Sequence, residues 1–419
     1  MNKKYLAIIV GIILLLVVVA AFVFGSKDKP AEEVTNGNGT FPEGTNVPTE
    51  GTSSFGLPTD SGDYEALPKT PDAKARFHKI TDVPVAGYLV LGSSDDLNLH
   101  LLYTEKETGH IFDYKYQTAI ANRLTNTTIP RVQNVLWTST GERAVFRYFD
   151  GDENSIKTYS ARLVTEVATD TQETRLEGLF LENNIDEVTL ISPQTKSSIF
   201  YLKKDESGGE IGYKADIATG KTSAIFKSSF NEWATLWQGK LYLYPKPSGL
   251  LEGFLYILNE NGAGLSDTSL EKVVGNKLGL APLPNKTGSK ILFSETKESV
   301  PAVSLYVAKT KIISALPIKT FAEKCVWSEK ESQIFYCAVP LSFPGAVYPD
   351  DWYKGKVRLS DALISYNTET GFFQILAVME RDLGEFVDVE GMSLAKDDSI
   401  IFFKNKTDQT LWSFSLSKQ

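Results

Sequence analysis

Trp327-Ser328-Glu329 ends one apolar stretch of the chain, a short polar turn follows, and Ile334-Phe335-Tyr336 begins the next. The same arrangement recurs at Trp137-Thr138-Ser139-Thr140-Gly141-Glu142 before Val145-Phe146, and at Ile191-Ser192-Pro193 before Ile199-Phe200-Tyr201. It returns at Leu283-Pro284-Asn285 before Ile291-Leu292-Phe293, and at Leu394-Ala395-Lys396 before Ile401-Phe402-Phe403. Several short strands per repeat of roughly 40–50 residues is the pattern of a β-propeller, each repeat being one antiparallel blade.

Working outward from these turns, inner strands are expected over 85–91, 132–138, 188–192, 232–237, 277–284, 323–328 and 389–395. Second strands follow at 100–105, 143–149, 197–204, 240–246, 289–295, 333–339 and 399–404. The prediction is therefore an all-β, seven-bladed β-propeller over residues 74–419. The fourth unit is degenerate and the sixth is swollen by an insertion, which leaves six or eight blades as alternatives. The last unit has only three strands, ending with 410–416, and an unpaired strand edge is an aggregation hazard that closed folds avoid. Residues 75–81, with Phe77 and Ile80, are placed to supply its missing outer strand and to clasp the two ends of the ring together.

The N-terminal part reads differently. The uncharged stretch from Tyr5 to Phe24 has the length of a membrane-spanning helix, about 20 residues. Lys3 and Lys4 in the tail 1–4 orient it with the N-terminus in the cytoplasm and the rest outside. A cleavable signal peptide is the rival reading, but no clean small-x-small site stands before Lys27. Residues 25–73 are rich in Gly, Pro, Thr, Ser, Asn and acids, and too poor in apolar residues to offset the entropy of ordering. They are expected to be a flexible linker. The location predicted is the cell membrane, single-pass, with the propeller outside.

A formal net charge of −9 argues against nucleic acid as a partner, since that needs a concentrated basic face. The only cysteines, Cys325 and Cys337, flank one predicted hairpin; if Trp327 lies opposite Phe335, they face each other on the same side. Directly opposed residues are about 4.5 Å apart at Cα in a non-hydrogen-bonded pair, near the lower limit for a disulfide. A structural disulfide is the expectation and a pair of buried thiols the alternative.

The one long insertion spans 340–361. Its Tyr348, Asp350, Asp351, Trp352, Tyr353 and Lys354 are the candidate binding residues, because aromatics beside carboxylates suit a sugar, a peptide or a protein surface. The competing reading is a plug that packs its aromatics on a neighbouring blade. Asp150-Gly151-Asp152-Glu153-Asn154 begins like a calcium loop, but Ser155 replaces the glycine and Ala161 the bidentate glutamate. An acidic turn is the better reading; no cofactor and no metal are expected, with calcium at this turn as the remaining alternative. The acidic run 380–390 is expected on the surface between the last two blades. His78, His100 and His110 lack the spacing of a zinc site, and neither a Gly-x-Ser-x-Gly elbow nor a P-loop occurs.

The tryptophan-serine turn and the apolar strand after it, best at Trp327-Ser328 with Ile334-Phe335-Tyr336 and next at Trp137-Thr138 with Gly141, resemble TolB-type and WD-repeat-like propellers. The chain also resembles bacterial membrane-anchored propeller proteins of no assigned activity. That likeness lies in Pro84-Val85-Ala86-Gly87, Thr108-Gly109-His110-Ile111, Asn126-Thr127-Thr128-Ile129-Pro130 and Tyr348-Pro349-Asp350-Asp351-Trp352-Tyr353. The function expected is a protein- or glycan-binding or scaffolding module of the cell envelope, held to the membrane by its N-terminal helix. The alternative is a propeller-type hydrolase or lyase with carboxylates and His110 acting over the central channel. No catalytic residue is nominated, because folds do not imply chemistry.

Overall fold

The computed structural model describes residues 72–416, apart from 95–97, 152–154, 169–170, 192–197 and 261–263. The tail, the expected membrane helix at 5–24, nearly all of the 25–73 linker and part of the calcium-like turn lie outside the described residues. Among the described residues, no helix is long and apolar enough to cross a membrane.

Among the described residues, seven four-stranded antiparallel sheets form the fold, each a meander. Blades 1 to 6 cover residues 85–123, 132–180, 187–228, 233–278, 281–315 and 325–378 in turn. Blade 7 combines 389–415 with the strand Phe77–Lys79 from the other end of the chain. The blade count of seven is thus met, and the alternatives of six and eight fall away.

The second strand of each blade explains why the repeat was visible. Ser198–Lys204 is buried over its first five residues, and Ile400–Asn405 is buried at every position but Lys404. A strand covered on both faces reads as a continuous apolar run rather than an alternation. The buried clusters that contain these strands show what covers them, because they join neighbouring blades. Leu292 and Val303 of blade 5 meet Trp327 and Phe335 of blade 6. Phe200 and Leu202 of blade 3 meet Trp233 and Leu243 of blade 4. Outer strands face solvent; Ile120–Arg123 and Ile312–Ala315 are exposed throughout.

The clasp forms as expected. Phe77 pairs with Phe414, His78 with Ser413 and Lys79 with Trp412. The Phe77 and Phe414 rings lie 4.6 Å apart, and the Arg76 guanidinium sits 4.2 Å from the Phe414 ring centroid. Arg76 Nε donates to the Ser415 carbonyl at 2.7 Å, and the Ile80 N–H donates to the Leu411 carbonyl at 2.8 Å.

Three expectations need correction. The fourth unit is a full blade, not a degenerate one, with strands Trp233–Trp237, Leu241–Pro245, Glu252–Glu260 and Thr268–Leu278. Residues 277–278 end its outer strand, and the inner strand of blade 5 starts only at Ala281. Gly279, at φ 64°, makes the turn between them, a conformation that favours glycine. The acidic run is not wholly on the surface either, since Asp388 is buried at 1 % exposure.

In blade 6, Cys325 faces Cys337 and Trp327 faces Phe335, the register anticipated from the sequence. The two cysteines are disulfide-bonded.

Candidate functional site

Inner strands of a propeller line its central channel, and their first residues stand at one end of it. The loops between second and third strands open on the same end. The insertion, which leaves Val339–Pro340 and returns at Asp361, is one of these loops.

The insertion reaches across blade 5 to blade 4. Its short helix α1 (Asp350–Tyr353) places the Asp350 carboxylate where Oδ1 accepts from Ser248 Oγ at 3.0 Å and Oδ2 from the Gly249 N–H at 2.8 Å. A Cβ on Gly249 would come within 2.1 Å of the Tyr348 carbonyl oxygen, so only glycine permits this approach. That carbonyl accepts from Thr296 Oγ1 of blade 5 at 2.8 Å.

The six residues singled out in the insertion separate into two groups. Tyr348 and Trp352 are buried, packed with Phe321 and Leu359, and Trp352 stacks on Phe321 with centroids 4.5 Å apart. Their rings brace the insertion. Asp350 fastens it to blade 4. Asp351 accepts from the Val347 N–H at 3.0 Å and pairs with Lys356 at 2.9 Å, contacts that hold its carboxyl below the usual range. Tyr353 and Lys354 keep solvent contact. Tyr353 Oη donates to Glu323 Oε2 at 2.5 Å.

Glu323 belongs to a set of charged and phenolic groups gathered at this end of the ring from several blades. It retains solvent access, yet protein surrounds it closely enough that desolvation pushes its carboxyl up. Tyr353 and Lys406 oppose that rise, and Glu390 adds to it. Glu187 of blade 3 is raised for the same first reason, with Lys246 and Arg147 pulling it back. Lys246 bridges blades, 3.7 Å from Glu187 and 3.1 Å from Glu232. The Tyr244 phenol is raised by burial and then by Glu323 and Glu187. Groups of opposite sign are interleaved, so the channel mouth is polar without a single dominant charge.

Beside this mouth, on the same face, is a cleft of about 460 Å³ in blade 4. Phe230, Trp233, Phe254, Tyr256, Leu251 and the prolines 245 and 247 line it, with Lys246, Glu232 and Glu252 at its polar margin. Ser248, which fastens Asp350, is part of the same wall. Its apolar side is open: Leu250 is 71 % exposed, Leu251 69 % and Phe230 47 %. The sequence signal for this cleft is Phe230-Asn231-Glu232-Trp233 and Pro245-Lys246-Pro247, an aromatic and a proline cluster within the fourth unit.

The histidines do not converge. His78 Nε2 is 2.7 Å from Tyr114 Oη, His100 Nδ1 is 2.5 Å from Asp113, and His110 Nε2 is 3.2 Å from Thr128 Oγ1. Among the described residues, no cluster of three or more His, Cys, Asp or Glu could hold a metal.

No known family model and no curated protein sequence matches the chain. Solved structures do. Oligogalacturonate lyase from Vibrio parahaemolyticus is similar at TM-score 0.51 and 10 % identity, covering 82 % of this chain and 94 % of that one. The β-propeller domain of the Trilobed protease from Pyrococcus furiosus, described as having an open velcro topology, gives TM-score 0.47 and 10 % identity, with 79 % and 97 % covered. TolB from Acinetobacter baumannii gives 0.39 and 16 %, with 68 % and 62 % covered. Likeness at such identity speaks to fold alone. Together with the seven sheets, it makes the chain a seven-bladed β-propeller.

Proposed function

We propose that the protein is a membrane-anchored, extracytoplasmic binding module of the cell envelope, and that an apolar or aromatic segment of a partner protein enters the blade 4 cleft. The observation that carries this reading is the open aromatic cleft beside the insertion. Large exposed apolar patches with a polar margin mark interaction sites. The lining is mostly apolar and its rim leucines are widely exposed, which suits an apolar protein segment. The stretch 5–24 and the linker 25–73 support the location, because they would hold the ring outside and away from the bilayer.

The test is chemical cross-linking in native membranes followed by capture of the full chain. It is run beside a Leu251→Asp, Phe230→Ala double variant and a variant lacking residues 342–356. A discrete envelope protein that is lost with the double variant supports the reading. A partner retained by both variants, or glycan bound in place of protein, overturns it.

A second reading, acid–base chemistry at the channel mouth, rests on the Glu323–Tyr353 pair and the raised Glu187. Burial pushes both carboxyls up from their ordinary range, the direction that general acid–base work uses. Turnover of a soluble substrate by the wild-type ring, abolished by Glu323→Gln, would favour it.

A further inference from the structure

Beneath the insertion lies a group of charges that water does not reach. Lys324 and Asp361 have fully buried side chains and Asp388 is nearly so. Lys324 Nζ is 2.7 Å from Asp361 Oδ2 and 2.5 Å from Asp388 Oδ1. Trp352 lies over the ammonium, 5.2 Å from ring centroid to Nζ.

The two carboxylates are held differently. Asp388 accepts from Trp352 Nε1 at 3.1 Å on both oxygens and from the Leu359 N–H at 3.2 Å, in addition to Lys324. Two N–H groups and an ammonium thus surround it. Asp361 accepts from Lys324 and from the Val389 N–H at 2.7 Å, both on Oδ2. Its Oδ1 is buried and accepts nothing from the described protein. Desolvation pushes the Asp361 carboxyl up; Lys324 lowers it and Asp388 raises it further.

Two carboxylates sharing one buried ammonium are costly, since each ion carries a desolvation penalty of several kcal/mol. Moving a proton from Lys324 to Asp361 neutralises one ion pair and creates the two reactants of an amide: a free amine and a carboxylic acid already in contact. We propose that Lys324 and Asp361 are joined by an intramolecular isopeptide bond, with Asp388 as the proton acceptor and donor that assists its formation.

The step balances without any co-reactant. Lys324 gives one proton to the Asp361 carboxylate, and Nζ then attacks Cγ. Asp388 takes the second proton from the nitrogen as the N–C bond forms. The proton from Lys324 sits on Oδ2, the oxygen it touches, with the Val389 N–H beside it, and Oδ1 carries the developing negative charge. Oδ2 leaves as water when Asp388 returns its proton and the C–O bond breaks. Ammonium and carboxylate become a secondary amide and one water, and Asp388 ends as it began. Contact distance supplies the effective concentration, and exclusion of bulk water opposes hydrolysis of the product.

The modification goes beyond the binding role and does not depend on it. Its test is the intact mass of the full chain after incubation in the folded state, measured reduced and denatured. The expected mass is lower than that of the sequence by one water. Tryptic mapping should show no cleavage after Lys324, and a branched peptide joining it to Asp361. Lys324→Arg and Asp388→Ala should both return the full mass. The wild-type measurement stands even if a variant does not fold. A full-mass wild-type chain, or a water loss mapped to any other residue, overturns the proposal.

Discussion

Replacing Phe77 by alanine should loosen the ring at its seam. Phe77 is half-buried and its ring packs on Phe414 at 4.6 Å. A fully buried Phe→Ala change costs about 3–5 kcal/mol, so a half-buried ring stands near 2 kcal/mol. The aromatic pair adds about 0.5–1.5 kcal/mol beyond area, and the two together give about 2.5–3.5 kcal/mol. Adding Arg76→Ala removes the bond to the Ser415 carbonyl, formed across 339 residues of sequence, and the cation–ring contact. A further cost of about 1 kcal/mol follows. Urea unfolding followed by tryptophan fluorescence and far-ultraviolet dichroism reads the loss. Trp412 lies directly opposite Lys79, so one of the six tryptophans reports on the seam. The expected result is a lower midpoint in both probes, with fluorescence changing first if blade 7 opens before the rest. Unchanged midpoints in the double variant would refute the argument that the clasp closes the ring energetically.

Cys325→Ser with Cys337→Ser should lower stability by about 2–3 kcal/mol, with the wild type matching it in reductant; a urea series with and without dithiothreitol decides this. Trp352→Phe should keep the stack on Phe321 while removing the indole N–H from Asp388, costing about 1–3 kcal/mol by calorimetry or urea melts. The raised Glu323 carboxyl gives a pH prediction. The folded state holds its proton more tightly than the unfolded state, so this contribution is present at low pH. It is lost as pH rises from the unfolded carboxyl range through the folded value. Glu323→Gln, which can still accept from Tyr353, should remove that fall; parallel stability–pH curves for the two proteins would count against it.

The parts legible in the sequence are those where burial is two-sided. Ile334-Phe335-Tyr336 and Ile401-Phe402-Phe403 are second strands pressed between blades, and their uninterrupted apolar runs announce it. Outer strands such as Thr268–Leu278 carry mostly exposed side chains and no such run, which is why its end was read as the next inner strand. Blade 4 looked degenerate because Trp237 is followed by Gln238-Gly239-Lys240 rather than the serine-type turn. The disulfide was legible from register alone. The insertion was legible as an insertion, but burial of Tyr348 and Trp352 depends on Phe321, which no local pattern connects to them. The channel-mouth group is less visible still. Arg147, Glu187, Lys246, Glu323 and Glu390 come from five blades, and only the recurrence of an acid near the start of inner strands hints at them.

The seam also dictates an order of events during synthesis. Phe77–Lys79 is the first of the described strands to be made, and its partner Leu411–Ser415 is the last. Blades 1 to 6 hold only strands that are contiguous in the chain, so each can form as it emerges. Blade 7 must wait for both ends, and contacts of such separation are slow to make. Until then the Leu411–Ser415 edge has no neighbour, and the nascent ring is an open horseshoe with a strand-binding edge. Premature termination within the last blade would therefore do more than shorten the product. It would leave Phe77–Lys79 without a partner and a propeller that cannot shut.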